Sequence, residues 1–286
     1  MLIAVSGATG FIGSNAIQAA IGRGWNCLGL VHLRWPELPT SDRLQLLRLT
    51  GSTDEQFHQL SNHQIDAVIH CATRYSYDAS LRDVDEMLAC NIQAGLSLLE
   101  YASASGAVFI NLSTVFQHGP GLPYHPNSLY AATKQAFADL LKHYVSNRGL
   151  AAVDLCLHDT YGPGDRRRKL LPQLLDGLRN QREVKLGSLD TQMNLVYITD
   201  VTRAIVASIE AGVSGSFSVV ADENHTIREV VEILEQISGL NLSIVIDHDL
   251  VRSSQFPRPV APRLPDWRPT VDLQQGLSRI LKEDQT

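Results

Sequence analysis

Short apolar runs alternate with stretches of helical spacing along the first 160 residues. Leu2–Ser6 and residues 27–33, 44–49, 67–71, 107–112 and 152–157 are strand-like, and most are apolar throughout rather than alternating. Such strands are buried on both faces, which points to a parallel sheet. Between them, Phe11–Gly22, 81–105 and 130–147 carry apolar residues at the three- and four-residue intervals of a helix face. Strand and helix in alternation predict an α/β fold, a doubly wound parallel sheet covered on both sides.

The rhythm breaks after Tyr161. Gly162-Pro163-Gly164-Asp165 signals a loop, and Arg166–Lys169 is a basic run. Beyond it the pattern predicts short helices (170–180, 201–211, 227–238) and short strands (184–186, 216–220, 243–247). Residues 253–269 hold five prolines and read as a loop over the surface, and 273–282 as a last helix. At ~150 residues per domain, a chain of 286 residues divides into a dinucleotide-binding unit over 1–160 and a substrate-binding lobe over 161–286. Some segments of the lobe return to the first unit.

The charge sum, 24 − 30 = −6, argues against a nucleic-acid partner, which calls for a basic surface. No run approaches the ~18 apolar residues of a membrane span, and the N-terminus has no basic stretch before its apolar residues. The expectation is a cytoplasmic protein with no membrane partner. Cys27, Cys71, Cys90 and Cys156 are too scattered for a zinc site or a disulfide framework, and no metal is expected.

Gly7-Ala8-Thr9-Gly10-Phe11-Ile12-Gly13 lies between the first strand and the first helix. Glycines at this spacing allow a tight turn and a close backbone approach to a diphosphate, which then meets the helix N-terminus. Gly7, Thr9, Gly10, Phe11, Ile12 and Gly13 are therefore cofactor candidates in a Rossmann-type unit. An NAD site places an acid at the end of the second strand. Here that strand runs Gly29-Leu30-Val31-His32-Leu33-Arg34. Arg34, helped by His32, suits a 2′-phosphate, which favours NADP(H), with NAD the alternative.

Tyr130 and Lys134 stand four apart at the start of a helix and share a face. A tyrosine ionises near pH ~10, and a neighbouring ammonium is expected to lower that value. Tyr130 then exchanges a proton with a reacting oxygen. Among the 8 tyrosines only this one has a lysine four residues on. Thr114, at the end of the fifth strand, is the expected hydrogen-bond donor to that oxygen, with Ser113 second.

These motifs give a resemblance. With His70-Cys71-Ala72-Thr73, Tyr161-Gly162-Pro163-Gly164-Asp165 and Val196-Tyr197-Ile198-Thr199-Asp200, the chain resembles the extended short-chain dehydrogenase/reductases of the NAD-dependent epimerase/dehydratase family, over essentially its whole length. The resemblance implies Thr114, Tyr130 and Lys134 as the catalytic trio, with Lys134 also on the cofactor's ribose. It adds Ala72 and Thr73 to the cofactor site and Asn91 to its support. Thr114-Val115-Phe116-Gln117-His118, Asn127–Phe137 and the Asp159–Asp165 loop with Arg167 and Lys169 are similar to CDP-abequose and CDP-paratose synthase-like sugar reductases. For the substrate the expectations are Thr114, His118, Asp159, Arg167, Asn194 and Arg258, with Arg167 on a diphosphate. Tyr75 or Tyr77 would line the sugar pocket or pack beneath a loop. In related enzymes the helices at 81–105 and 130–147 form a dimer, so a homodimer is implied.

Departures from the family narrow the reaction. Its dehydratases carry an Asp-Glu pair after the threonine, where Val115 and Phe116 stand here, so elimination of water is not expected. Its epimerases of the UDP-galactose type carry an arginine where Met193 stands, a loss that Arg258 or the Arg167–Lys169 run would make good. The aspartate near the adenine is missing at Gly51-Ser52-Thr53. The expected activity is NADPH-dependent reduction, at C4, of a nucleotide-diphosphate 4-keto-6-deoxyhexose, CDP being the nucleotide that the resemblance suggests. The alternatives are an NAD-dependent 4-epimerase and a non-catalytic NADP(H) sensor.

Overall fold

The computed structural model describes residues 1–31, 41–76, 80–119, 124–250 and 259–283. The chain opens with β1 (Leu2–Ser6), α1 (Phe11–Gly22), β2 (Asn26–Val31), β3 (Leu44–Arg48), α2 (Thr53–Ser61) and β4 (Ala67–His70). Next come α3 (Leu81–Leu88), a π-helical turn (Ala89–Gln93), α4 (Ala94–Ser105), β5 (Val108–Thr114), α5 (Leu129–Arg148) and β6 (Ala152–Leu157). The second part holds β7 (Asp159–Tyr161), α6 (Leu170–Asn180), β8 (Val184–Leu186), β9 (Gln192–Met193), β10 (Leu195–Tyr197) and α7 (Ile198–Glu210). It ends with β11 (Gly215–Val219), β12 (His225–Thr226), α8 (Ile227–Ser238), β13 (Ile244–Ile246) and α9 (Leu273–Glu283).

Seven parallel strands form the main sheet in the order β11-β6-β5-β4-β1-β2-β3. The chain winds outward from β1 to β3, then crosses back to place β4 on the other side of β1. A crevice opens at the carboxyl ends where that direction reverses, and it is the binding position of such sheets. One face of the sheet packs Ile3, Val5, Ile110 and Leu155 against α1 and α7 through Ala16, Ile17, Val201 and Ile205. The other packs Ala4, Leu28, Val68 and Phe109 against α2, α4 and α5 through Leu60, Leu98, Phe137 and Leu141. A separate core of Leu174, Leu178, Leu195, Val230, Leu234 and Leu277 holds α6, α8 and α9 together. Among the described residues no helix is long and apolar enough to cross a membrane.

The short strands β7, β9, β10 and β12 were not expected from the sequence, and three larger elements also differ from it. Helix α2 was not expected, because its one fully buried residue is Leu60 and it has no apolar stripe. Its signal was the capping box Ser52-x-x-Glu55, in which Ser52 Oγ accepts from Glu55 N and the Glu55 carboxylate accepts from Ser52 N. The long helix at 81–105 is interrupted by the π-helical turn, which carries Asn91. The proline-rich segment is more than a surface loop, because in its described part Leu264 and Trp267 are buried in the sheet core. Val260 N and Ala261 N donate to Ser218 Oγ, and Ser218 N donates to Pro262 O.

Asp200 anchors that strap and the chain after it. Its carboxylate is fully buried and accepts from Arg203 Nη1, Thr270 N, Thr270 Oγ1 and Val271 N. Trp267 Nε1 donates to the Asp200 carbonyl at 3.1 Å. The Val196–Asp200 motif thus ends in a brace. Replacing Asp200 with alanine strands buried donors and is expected to cost about 3 kcal/mol. Urea unfolding of the variant checks this; a loss under 1 kcal/mol, on the order of a surface change, would contradict the brace.

Candidate active site

The turn from β1 into α1 is built by close backbone contacts. Gly7 has φ +65°, and a Cβ there would lie 2.7 Å from Ala72 N. A Cβ on Gly13 would lie 2.1 Å from Gly7 O. Gly10 N donates to Gly7 O at 2.9 Å and closes the turn. No side chain caps α1, so the amides of Phe11, Ile12 and Gly13 open the helix without intrahelical acceptors. Thr9 and Gly10 are exposed beside them. Bare amides at a positive helix end, on a turn that only glycines allow, fit the diphosphate of a dinucleotide. Ser6 Oγ meets His70 Nδ1 at 2.8 Å and accepts from Ala72 N, which pins the ends of β1 and β4 together.

Asn91 ties the cofactor side to the catalytic helix. Its Oδ1 accepts from Arg74 N at 2.6 Å and from Thr73 Oγ1 at 3.1 Å. Its Nδ2 donates to Arg74 O and to Thr133 Oγ1, and the Thr133 hydroxyl donates to Tyr130 O. One buried amide therefore sets the 72–74 segment and the first turn of α5 together. Ser128 caps that helix by accepting from Ala131 N.

Tyr130 stands edge-on to Tyr75, with ring centroids 4.9 Å apart. Thr114 ends β5 on the face that Ile110 and Leu112 share with α1, and its hydroxyl accepts from Phe116 N. Ser113 points to the other face, where it hydrogen-bonds Asp154 on β6. The alternation of the strand therefore favours Thr114 over Ser113.

Burial pushes the Tyr130 phenol up to about 12, helped by Tyr75, while Arg167 and a hydrogen bond with Thr73 pull the other way. Lys134 is 3% exposed, and burial lowers its ammonium against the opposing charge of Asp154 and the thiols of Cys71 and Cys90. Among the lesser influences on Tyr130, the charge of Arg167 lowers it and that of Asp159 raises it, while Lys134 is set by burial and by Asp154, Cys71 and Cys90. At neutral pH Tyr130 holds its proton.

A cavity of about 430 Å³ opens beside Tyr75, between β5 and β7 on one side and α6, β8 and β9 on the other. Val115, Phe116, Asp159, Arg168, Lys169 and Asn194 stand in its wall. Asp159 is paired with Lys169 at 3.1 Å, and the Lys169 ammonium lies 5.9 Å from the rings of both Tyr75 and Phe116. Asn194 borders the cavity, but its side chain is committed elsewhere. Its Nδ2 donates to Ala221 O, Glu223 O and Asn224 Oδ1, and its Oδ1 accepts from Ala221 N. His118 is half-buried and outside the described wall. Arg167 is also outside it, held by Asp165 over the ring of Phe11. Arg34 and Arg258, with His32 and Tyr77, lie outside the described residues. Sequence reasoning missed His158 in the wall and named Arg168 only as part of the basic run 166–169. His158 follows β6 at the carboxyl edge of the sheet, and that position was its signal. Burial lowers it to about 4, so the ring is neutral.

Three comparisons place the chain. Over 98% of its length it is 26% identical to the GDP-6-deoxy-D-mannose reductase of Pseudomonas aeruginosa, of which it covers 95%. Over 85% it is 25% identical to the CDP-abequose synthase of Yersinia pseudotuberculosis, covering 87% of that protein. The fold matches the crystal structure of the UDP-glucose 4-epimerase of Thermus thermophilus in complex with NAD, with a TM-score of 0.84 and 23% identity, over 100% of this chain and 99% of that one. Residues 3–221 match the model of the NAD dependent epimerase/dehydratase family. With the glycine turn, the Tyr130–Lys134 pair and the sheet order in place, the chain belongs to the NAD dependent epimerase/dehydratase family, the nicotinamide-dependent enzymes of the extended short-chain dehydrogenase/reductase type.

Proposed function

We propose that the protein reduces the C4 ketone of a nucleotide-diphosphate 4-keto-6-deoxyhexose, with CDP as nucleotide and NADPH as reductant. The observation that carries this reading is the set of groups around Tyr130. Tyr130 stands against Tyr75, which lines the cavity together with Val115 and Phe116, the two residues that follow Thr114. No acid follows Thr114 to take a proton from the sugar ring, so the chemistry reduces to one hydride and one proton. Tyr130, protonated at neutral pH, is ready to give the proton, as a reduction needs.

The nicotinamide, when bound, supplies the hydride. Tyr130 gives its phenolic proton to the oxygen on C4 as that carbon gains hydride, so the ketone becomes a secondary alcohol. Thr114 Oγ hydrogen-bonds the same oxygen while charge develops on it. Lys134 holds the cofactor's ribose from the next turn of α5. Gly7, Thr9, Gly10, Phe11, Ile12, Gly13, Ala72 and Thr73 hold the cofactor, and Asp159 with Lys169 faces the sugar. Positioning of both reactants supplies much of the acceleration. Relatives that carry reductase names support this reading, as does the missing acid at the end of β2, which favours NADPH. In this reading residues 161–286 form the substrate lobe, with α7 and β11 returning to the sheet. The chain pairs as a homodimer through α3, α4 and α5, which is supported by exposed Leu88 on α3 and exposed Leu129 and Val145 on α5. Sedimentation velocity at micromolar concentration is expected to give a dimer, and a monomer alone would remove that part of the proposal.

The test of the chemistry is to mix the purified protein with NADPH and a CDP-4-keto-6-deoxyhexose and to follow the reduced nicotinamide. Stoichiometric loss with one new CDP-sugar is expected. Tyr130→Phe is expected to lower turnover at least 100-fold with cofactor affinity little changed. Activity on UDP-sugars with retained NAD and no added cofactor would replace the reductase by a 4-epimerase, and near-normal turnover of Tyr130→Phe would overturn the assignment.

A further inference from the structure

Arg167 is not where the basic run of the sequence suggests. Its neighbours Arg168 and Lys169 face the cavity, whereas Arg167 lies over the glycine turn. Its Nε and Nη2 donate to the two carboxylate oxygens of Asp165, each at 2.7 Å, and Nη2 donates also to Thr160 O at 2.7 Å. Its Cζ lies 4.6 Å from the centroid of the Phe11 ring. These contacts fix the plane of the guanidinium. Nη1 keeps two N–H groups with no partner among the described residues.

Phe11 is the first residue of α1, and its ring is the contact between the two halves of the site. On one side it carries Arg167. On another it meets Gly162, where a Cβ would lie 3.4 Å from Phe11 Cζ. The loop after β7 is thus packed onto the turn that receives a dinucleotide. Residues 7–13 contain no ionisable side chain, so the turn offers a diphosphate only amides and a helix dipole. The dianion is left without a full countercharge by the turn itself. A rigid guanidinium beside that turn, with two free donors, is the group that charge-assisted recognition of a diphosphate uses.

We propose that Arg167 is a clamp for the diphosphate of the bound dinucleotide, delivered from the lobe across Phe11, and does not bind the sugar nucleotide. This inference rests on the dinucleotide site of the family and stands whether or not the reductase reading does. Because Asp165 balances the charge of Arg167, the contribution is local, through Nη1, and not a long-range field.

The test measures binding without turnover. Quenching of protein fluorescence by NADPH, or by NADH where the wild type binds that more tightly, gives the cofactor Kd. Calorimetry with whichever of CDP, GDP, UDP and dTDP the wild type binds gives the second Kd. Arg167→Gln is expected to weaken the cofactor about tenfold or more, the worth of one charge-assisted hydrogen bond, and to leave the nucleoside diphosphate within twofold. That second affinity also shows that the variant is folded. If Arg167→Gln fails to fold, Arg167→Lys carries the test, because it keeps the charge and loses the fork and the stack; threefold or greater weakening of the cofactor is expected. Unchanged cofactor affinity in the variant that carries the test overturns the proposal. So does weakening of the nucleoside diphosphate, alone or together with the cofactor, since the clamp would then serve the substrate.

Discussion

The site depends on one contact, the approach of backbone to backbone where β1, α1 and β4 meet. Gly7 passes so close to Ala72, and Gly13 so close to Gly7, that a methyl group at either position would collide with main-chain atoms. That contact brings the open end of α1 to the point where the sheet reverses direction. It also fixes the distance from the glycine turn to the 72–74 segment, which Asn91 then holds against the first turn of α5. Main-chain atoms cannot move aside as a side chain can. The positions of Thr73, Tyr130 and Lys134 relative to the cofactor turn follow from it.

Polar groups with no exposure to water hold the rest in register. Asn91 uses both ends of its amide to join three segments, and Asp200 uses both oxygens to join α7 to the chain at 267–271. A buried amide or carboxylate is stable only when its bonds are made, so each hub enforces one arrangement of its neighbours. The lobe is coupled to the sheet by another route. Arg167, Gly162 and Phe11 pack together and carry the loop after β7 onto the glycine turn.

The main elements were legible because the strands are apolar throughout and the helices carry small or apolar residues on one face. β1, α1, β6, α6 and α8 run between the residues that the spacing indicated. The glycine turn was legible as a local motif because it lies within a few residues of chain, and Tyr130 and Lys134, four apart, stood out as candidates in the same way. What failed to show depended on contacts distant in sequence. Trp267 read as packing from the sequence, but its tie to the Asp200 carbonyl, 67 residues earlier, did not show. Asn194 looked like a substrate ligand, but partners at 221–224 engage its amide, and Arg167, expected at the substrate, stacks on Phe11 outside the cavity wall. Spacing along a helix shows which residues share a face but not which charges a phenol meets in the folded chain. Helix α2 was missed because its apolar contribution is a single leucine.

The central claim is that this arrangement moves a hydride from the nicotinamide to C4 of the sugar while Tyr130 supplies the proton. The direct measurement is the fate of isotope from NADPH stereospecifically deuterated at C4 of its nicotinamide. With a nucleotide-linked 4-keto-6-deoxyhexose as acceptor, proton NMR of the product is expected to show deuterium at C4 of the sugar and at no other carbon, from one face of the cofactor. Product with hydrogen at C4 whichever face carries the label, or deuterium elsewhere in the ring, would contradict the account.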